Sequence, residues 1–299
     1  MEPETAPFEQ HRAHLLRIGY RITGVLADAE DAVQEAWLRF AALDDGARAG
    51  IRDLRAWLTT VVGRLCLDRL RSAAARRERY VGPWLPEPLM TSPDAHPDHD
   101  PLAAVVRDEG VRMAAMLVLE RLSPPQRVAF VLHEALTLPF ADIAGVLGCS
   151  EPAARQHASR ARRIVTEAEL PRRAPTGEQQ AVLAAFADAI SRADAAALVA
   201  LLHPDAVLIS DSDGKVRAAR QPVRGAEKVV RLLLGLLRKH GAELGEGWIP
   251  LLVNGELGFQ TPRTATVPPS VVVLPVSDGR IGAVYQVFNP DKLTRLAWA

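Results

Sequence analysis

Six prolines fall between Gly82 and Pro101, at positions 83, 86, 88, 93, 97 and 101, and they govern how this chain can be divided. Each removes a backbone donor and turns the preceding residue away from helix, so no regular helix or central strand runs through the segment. The segment reads as a linker. About 20 extended residues at ~3.3 Å each reach roughly 65 Å, enough to separate the folded units on either side.

At 299 residues the chain exceeds what one hydrophobic core supports, so two or three domains are expected. Apolar residues at 48% and charged residues at 24% supply enough buriable surface to exclude a disordered chain. No window approaches the ~20 apolar residues that span a bilayer, and the acidic start from Met1 to Gln10 lacks a signal-peptide apolar region. The expectation is a cytoplasmic protein with no membrane partner. Cys66 and Cys149 lie far apart inside helical patterns, which fits small core residues better than a disulfide or a metal site. His96 and His99 in the linker are too isolated to suggest metal.

A formal net charge of zero hides an uneven distribution. Residues 64–79 hold six arginines against Asp68 and Glu78, and residues 151–163 hold four against Glu151, whereas residues 82–110 hold six acids against Arg107. Two basic helical stretches thus flank an acidic connector, a pattern suited to a nucleic acid backbone.

From Phe8 to Tyr80 the periodicity predicts three helices, broken at Gly24 and around Asp44, Asp45 and Gly46. The second can start with Asp28 as N-cap and carries Val33, Ala36, Trp37 and Phe40 at helical spacing; the third starts near Asp53 with a stripe of Leu54, Trp57, Leu58, Val61 and Leu65. Helix resumes from Leu102 to Leu122, then from Gln126 to Leu136 and from Phe140 to Leu147. Gly148 and Cys149 form a turn, and Ser150 caps a last helix reaching Val165. Ala154, His157, Ala158, Ala161, Ile164 and Val165 share one face of it, leaving Arg155, Gln156, Ser159, Arg162 and Arg163 on the other. This build, with small Ala144 in the preceding helix, is that of a helix-turn-helix, and its outer donors suit phosphates and base edges.

After Pro171 the pattern becomes α+β: helices over Glu178–Leu202 and Ala226–His240, and strand-like runs over Ala206–Ser210, Val216–Val223, Trp248–Leu257, Ser270–Val276 and Ile281–Phe288. Asp213-Gly214 and Asp278-Gly279 predict hairpin turns.

These residues converge on a family. The stretch from Asp28 to Trp37 resembles the sigma domain 2 helix that docks on the clamp of the large subunit of RNA polymerase. The helix from Trp57 to Arg71 resembles the part that melts and reads the minus-ten element. Leu122 to Val165, ending in Ser-Arg-Ala-Arg at 159–162, resembles domain 4, which reads the minus-thirty-five element. The chain is therefore similar to sigma factors of the extracytoplasmic-function type over residues 8–165.

The resemblance implies a multidomain fold with two all-α domains, sigma domain 2 over residues 5–80 and helix-turn-helix domain 4 over 108–170, joined by an acidic linker over 81–107. A C-terminal α+β domain over 177–299 would have the cone-shaped SnoaL-like (NTF2-like) fold. Asp28, Asp31, Gln34, Glu35 and Arg39 would meet polymerase, whose clamp and flap are the implied partners. A loop at 43–53 would grip a flipped minus-ten base, supported by Trp57, with Arg64, Arg71, Arg76 and Arg77 on promoter DNA. Ser150, Arg155, Gln156, Ser159, Arg160, Arg162 and Arg163 would serve the helix-turn-helix, and the acidic linker would run inside polymerase in imitation of nucleic acid.

Trp84-Leu85-Pro86-Glu87-Pro88-Leu89 and Asn289-Pro290-Asp291-Lys292-Leu293 resemble two signatures of the sigma subgroup fused to a SnoaL-like domain. A third, usually Asp-Gly-Gly-Gly-Lys, stands here as Asp211-Ser212-Asp213-Gly214-Lys215, with two glycines replaced. These segments are expected to hold the C-terminal domain on the sigma domains and modulate them. His203, Asp205 and His240 are the nearby acid and base candidates, and none sits in a spacing that demands catalysis. No enzyme activity, cofactor or metal is expected; a small ligand in the C-terminal cavity is compatible with the fold. The alternatives are a stand-alone helix-turn-helix regulator, and a SnoaL-like isomerase or cyclase fused to a DNA-binding module.

Overall fold

The computed structural model describes residues 6–77, 80–92, 101–244 and 247–296. They form two compact units, one made of Met1–Arg79 with His96–Leu170, the other of Tyr80–Ala95 with Pro171–Ala299.

The first unit is helical: α1 (Ala6–Thr23), α2 (Leu26–Ala41), α3 (Asp45–Ala49), α4 (Leu54–Arg77), α5 (Pro101–Val105), α6 (Met113–Leu119), α7 (Pro124–Leu136), α8 (Phe140–Leu147) and α9 (Glu151–Glu167). Leu15, Ile18 and Ile22 of α1, Ala29 and Val33 of α2, and Leu58, Val62 and Cys66 of α4 are buried together. A Cβ on Gly19 would stand 2.9 Å from the Ala29 Cβ, so glycine lets α1 and α2 close on each other. Asp28 is not the N-cap expected of it. The chain turns at Gly24 (φ +74°) and buries Leu26, so the cap falls three residues earlier, at Val25, and Asp28 sits in the first turn where a negative charge favours the helix dipole. The expected helix from Leu102 to Leu122 is broken into α5, a short 3-10 turn at Glu109–Val111 and α6, with Asp108 accepting from the Gly110 amide.

The two helical domains expected on either side of a long strap share one interior. The Arg127 guanidinium is buried, donates Nε–H to the Arg21 carbonyl at 2.9 Å and pairs with Glu120. Ala103, Val105 and Val106 are buried beside α1, so the end of the expected linker belongs to the helical core.

The second unit contains β1 (Met90–Thr91), α10 (Thr176–Ser191), α11 (Ala195–Leu201), β2 (Leu202–Asp211), β3 (Val223–Arg224), α12 (Ala226–His240), β4 (Ile249–Val253), β5 (Glu256–Thr261), β6 (Ser270–Val273), β7 (Val276–Ser277) and β8 (Arg280–Val287). Strand order is β1-β4-β5-β6-β8-β2-β3, with β7 paired to β8. All pairings are antiparallel except β2 with β8. Phe186, Leu198, Leu208, Val229, Phe259 and Val284 join the helices to the sheet in one core.

Four expectations are corrected in this unit. The helix expected over Glu178–Leu202 breaks at Ala193 (φ +51°) and restarts on the Asp194 cap, whose carboxylate accepts from the Ala197 amide. The run Trp248–Leu257 is two strands, turned by Asn254 (φ +53°) and Gly255 (φ +74°). The run Ser270–Val276 divides into β6 and β7. Asp213 (φ +50°) and Gly214 (φ +69°) do make a tight turn, but residues 216–222 form no strand, because two arginines and Pro222 break any apolar alternation. Asp278 (φ +51°) and Gly279 (φ +71°) close the β7–β8 hairpin as expected.

Candidate functional site

Three surfaces carry the predicted functional residues. On the first, Asp31 and Gln34 of α2 are exposed while Asp28 and Glu35 are partly buried, and they line an open groove with Leu65, Asp68 and Arg69 of α4. Arg69 lies 3.9 Å from Asp28 and 3.8 Å from Asp31, and the Arg39 Nε–H donates to Glu35 at 2.9 Å. Leu38, 53% exposed, gives this charged face an apolar centre. The sequence pattern did not single out Leu38 or Arg69; an apolar residue on the polar side of α2 was the available signal.

Around the end of α2, Phe8, Trp37, Phe40 and Trp57 pack in a chain of tilted and edge-on rings with centroids 4.8, 5.9 and 5.9 Å apart. Trp57 is thereby a half-buried packing residue. The loop at 43–53 contains α3, capped by the Asp44 carboxylate on the Ala47 amide at 2.7 Å. Arg48 lies over the Phe40 ring at 5.6 Å and donates to the Ala41 carbonyl, which holds this loop against the aromatic chain. Arg64 and Arg71 are exposed. Arg64 also donates to the Gly145 carbonyl of α8 at 3.1 Å, and Arg71 lies 3.7 Å from Asp68. The side chains of Arg76 and Arg77 lie outside the described residues, as do Arg79, His96 and His99.

The second surface is the outer side of α9. Gly148 turns the chain with φ +67°, and Ser150 caps α9 by accepting from the Ala153 amide at 3.4 Å. Ala154, Ala158 and Ala161 are buried, whereas Arg155, Gln156, Ser159, Arg160, Arg162 and Arg163 are all exposed on the opposite side. Arg155 pairs with Glu151 and covers the Phe140 ring at 4.7 Å, Arg162 pairs with Glu134, and Arg163 lies 3.8 Å from Glu167.

The third is a buried junction within the second unit, where the connector signature at Trp84–Leu89 meets the two at Asp211–Lys215 and Asn289–Leu293. Asp211 is 0% exposed at the end of β2. Its Oδ2 accepts from the Leu85 amide at 2.7 Å and from Lys292 Nζ at 2.6 Å, while Oδ1 accepts from the Tyr80 hydroxyl. Lys292 also donates to the Leu85 carbonyl and sits 4.2 Å from the Trp84 ring centre. Asn289 Nδ2 donates to the Tyr80 oxygen at 2.8 Å. Burial, reinforced by the Asp211 carboxylate, pushes the Tyr80 phenol well above its ordinary pKa, so it stays a donor. Lys215 pairs with Asp291 and Asp213, and the Val81 amide donates to Asp213 at 3.2 Å.

The connector thus does not hang free up to Ser92. Leu85, Pro86, Glu87, Pro88 and Leu89 are buried, Leu89 exchanges two hydrogen bonds with Asn254 (3.0 and 2.8 Å), and Met90–Thr91 add an edge strand to β4. The acidic strap expected over 81–107 is corrected accordingly, since apolar Leu85 and Leu89 drive its first part into the C-terminal core. The two replaced glycines do not open the turn: Asp213 adopts the positive φ itself and Gly214 keeps its place against Val81, whose Cβ would be 3.1 Å from an added methyl. Tyr80, Val81 and Asn254 were not foreseen, because they lie far apart in sequence from the residues they bond.

Comparison with known proteins decides the family. Sigma-70 region 2 matches residues 7–76 and sigma-70 region 4 matches residues 112–165. The chain is 50% identical over 298 residues to the ECF RNA polymerase sigma factor SigJ of Mycobacterium tuberculosis, covering 97% of this chain and 93% of SigJ. This chain belongs to the ECF sigma factor family. It is also similar to the probable ECF sigma factor SigI of that organism, at 37% identity over 301 residues, covering 99% of this sigma factor and 96% of SigI. The crystal structure of SigJ matches with a TM-score of 0.81 at 46% identity, covering 99% of this sigma factor and 100% of that chain. The similarity extends past region 4 through the sheet-containing C-terminal unit. No helix among the described residues is long and apolar enough to cross a membrane.

Proposed function

We propose that this sigma factor docks on core RNA polymerase through the α2 face, holds the melted minus-ten element with α3 and α4, and reads the minus-thirty-five element with α9. The observation that carries the regulatory part is the buried junction on Asp211. Three segments distant in sequence satisfy one carboxylate and one ammonium there, so the C-terminal unit controls how much of residues 80–92 polymerase can take up. Its SnoaL-like sheet acts as a holder for the connector and catalyses nothing. His203 and Asp205 are exposed and do not line the cavity of this unit, while His240, which does, contacts the Thr266 hydroxyl through Nδ1 at 3.0 Å and has no acidic residue beside it among the described lining residues, which supports that reading. The protein works in the cytoplasm, where polymerase is.

In vitro transcription with purified core enzyme, comparing the full chain with a chain ending at Thr176, tests the proposal. Promoter-dependent output and core affinity should both change on truncation. Identical values for the two chains defeat the regulatory role, and failure of both chains to associate with core enzyme defeats the docking.

A further inference from the structure

The C-terminal unit encloses a cavity of about 590 Å³ that the connector does not fill. That is within the range of ~300–1,000 Å³ typical of small-molecule sites. Leu232, Leu236, Val267 and Phe288 form its walls. Behind them a smaller space of about 70 Å³ reaches Phe186 and the stacked rings of Trp248 and Phe259, whose centroids are 4.0 Å apart. The depth is therefore apolar and partly aromatic. On the floor, Ser210 donates to Gln286 at 2.9 Å, placing one hydroxyl and one amide among apolar groups.

The mouth differs in kind. Arg217 from the loop after β2, Lys239 and His240 from the end of α12, and Arg263 from the loop after β5 converge there, and none of the described lining residues is acidic. Glu243 is the neighbouring carboxylate. It is committed to Thr264 and Thr266, whose hydroxyls and amide hold it below the usual carboxylate range, and an excess of positive charge remains. Lys239 and His240 also complement the C-terminal dipole of α12, but that does not account for Arg217 and Arg263, which come from other segments.

We infer that this cavity binds a small apolar carboxylic acid, its hydrocarbon or aryl body between Leu236, Val267 and Phe288 and its carboxylate at Arg217, Lys239 and Arg263. A carboxylate beside guanidinium groups forms charge-assisted hydrogen bonds, while a neutral isostere of the same shape keeps only the apolar contribution.

Titration calorimetry on the full chain, without polymerase, separates this inference from the transcription reading. Decanoate and 4-butylbenzoate, each paired with its primary amide, serve as probes. The acids should bind at one site about tenfold or more tighter than their amides. Lys239→Gln combined with Arg263→Gln, both at exposed positions, should remove that preference at unchanged thermal stability. Leu236→Trp, which narrows the cavity at one of its apolar walls, should weaken acid and amide alike. Equal affinity for acid and amide, an acid affinity untouched by the double substitution, or no binding of either acid at millimolar concentration overturns the inference.

Discussion

Lys292 Nζ lies 2.6 Å from Asp211 Oδ2, and the two residues are 7% and 0% exposed, so neither charge has water to fall back on. Removing one partner from such a pair leaves the other buried and uncompensated, at a cost of about 3–5 kcal/mol. Asp211→Ala should therefore lower the unfolding temperature of the C-terminal unit and expose residues 80–92 to protease. Asp211→Asn with Lys292→Met, which removes both charges, should recover part of the loss. Limited proteolysis mapped by mass spectrometry reads the connector directly; equal resistance in Asp211→Ala and the parent would refute the junction's role.

On α9 the arginines differ in what they must give up before meeting DNA. Arg155 is held by Glu151 and the Phe140 ring, and Arg162 by Glu134. Arg160 is exposed, and no described residue pairs with it. Arg160→Ala should reduce the slope of log affinity against log salt by about 1, the signature of one lost phosphate contact. Gln156→Ala should instead change which base is preferred at one position, by about 1–3 kcal/mol. Anisotropy titrations with minus-thirty-five duplexes at several salt concentrations distinguish the two.

His14 on α1 carries a built-in pH dependence. Burial and then the Arg55 and Arg17 guanidiniums, each within 3.2 Å of a ring nitrogen, lower its pKa from 6.5 to about 4. Between those values the unfolded chain binds the proton and the folded chain does not, so stability is full above about 6.5 and falls as pH drops toward about 4. With partial exposure screening the charges, the loss is on the order of 1–2 kcal/mol. His14→Gln should flatten this limb in urea titrations at pH 7, 5.5 and 4.5; an unchanged pH slope would mean that other groups set it.

Cys66 is fully buried in the helical core, and burial pushes its thiol up to about 12. Only the thiolate is nucleophilic, so Cys66 should resist a thiol reagent in native protein, whereas half-buried Cys149 at the helix-turn-helix turn should react. Counting labelled thiols before and after denaturation, with Cys149→Ser as control, decides it. Native labelling of Cys66 would show that the core opens.

The positions of α1, α4, α7, α8, α9 and α12 and the exposed basic side of α9 were legible from periodicity, because an amphipathic helix repeats its burial pattern every few residues, whereas the breaks at Glu109–Val111 and Ala193 inside longer helical patterns were not. Ser150, Gly148 and the alanine seam of α9 each do locally what their types suggest. The strands were less legible: Asn254-Gly255 hides inside one apolar run, and residues 216–222 carry one β-branched residue, Val216, and no alternation.

What local pattern could not reach is which distant groups satisfy each other. Six prolines and a run of acids described the connector as a strap; the tertiary structure placed its first part in the C-terminal core and its last part beside α1, because Leu85, Leu89, Val105 and Val106 lose more by staying in water than a flexible chain gains. The same holds for Asp211. Sequence alone established that a carboxylate stands there, but only the folded chain could decide that Tyr80, Leu85 and Lys292 meet on it, since burying a charge demands partners from wherever the fold can bring them.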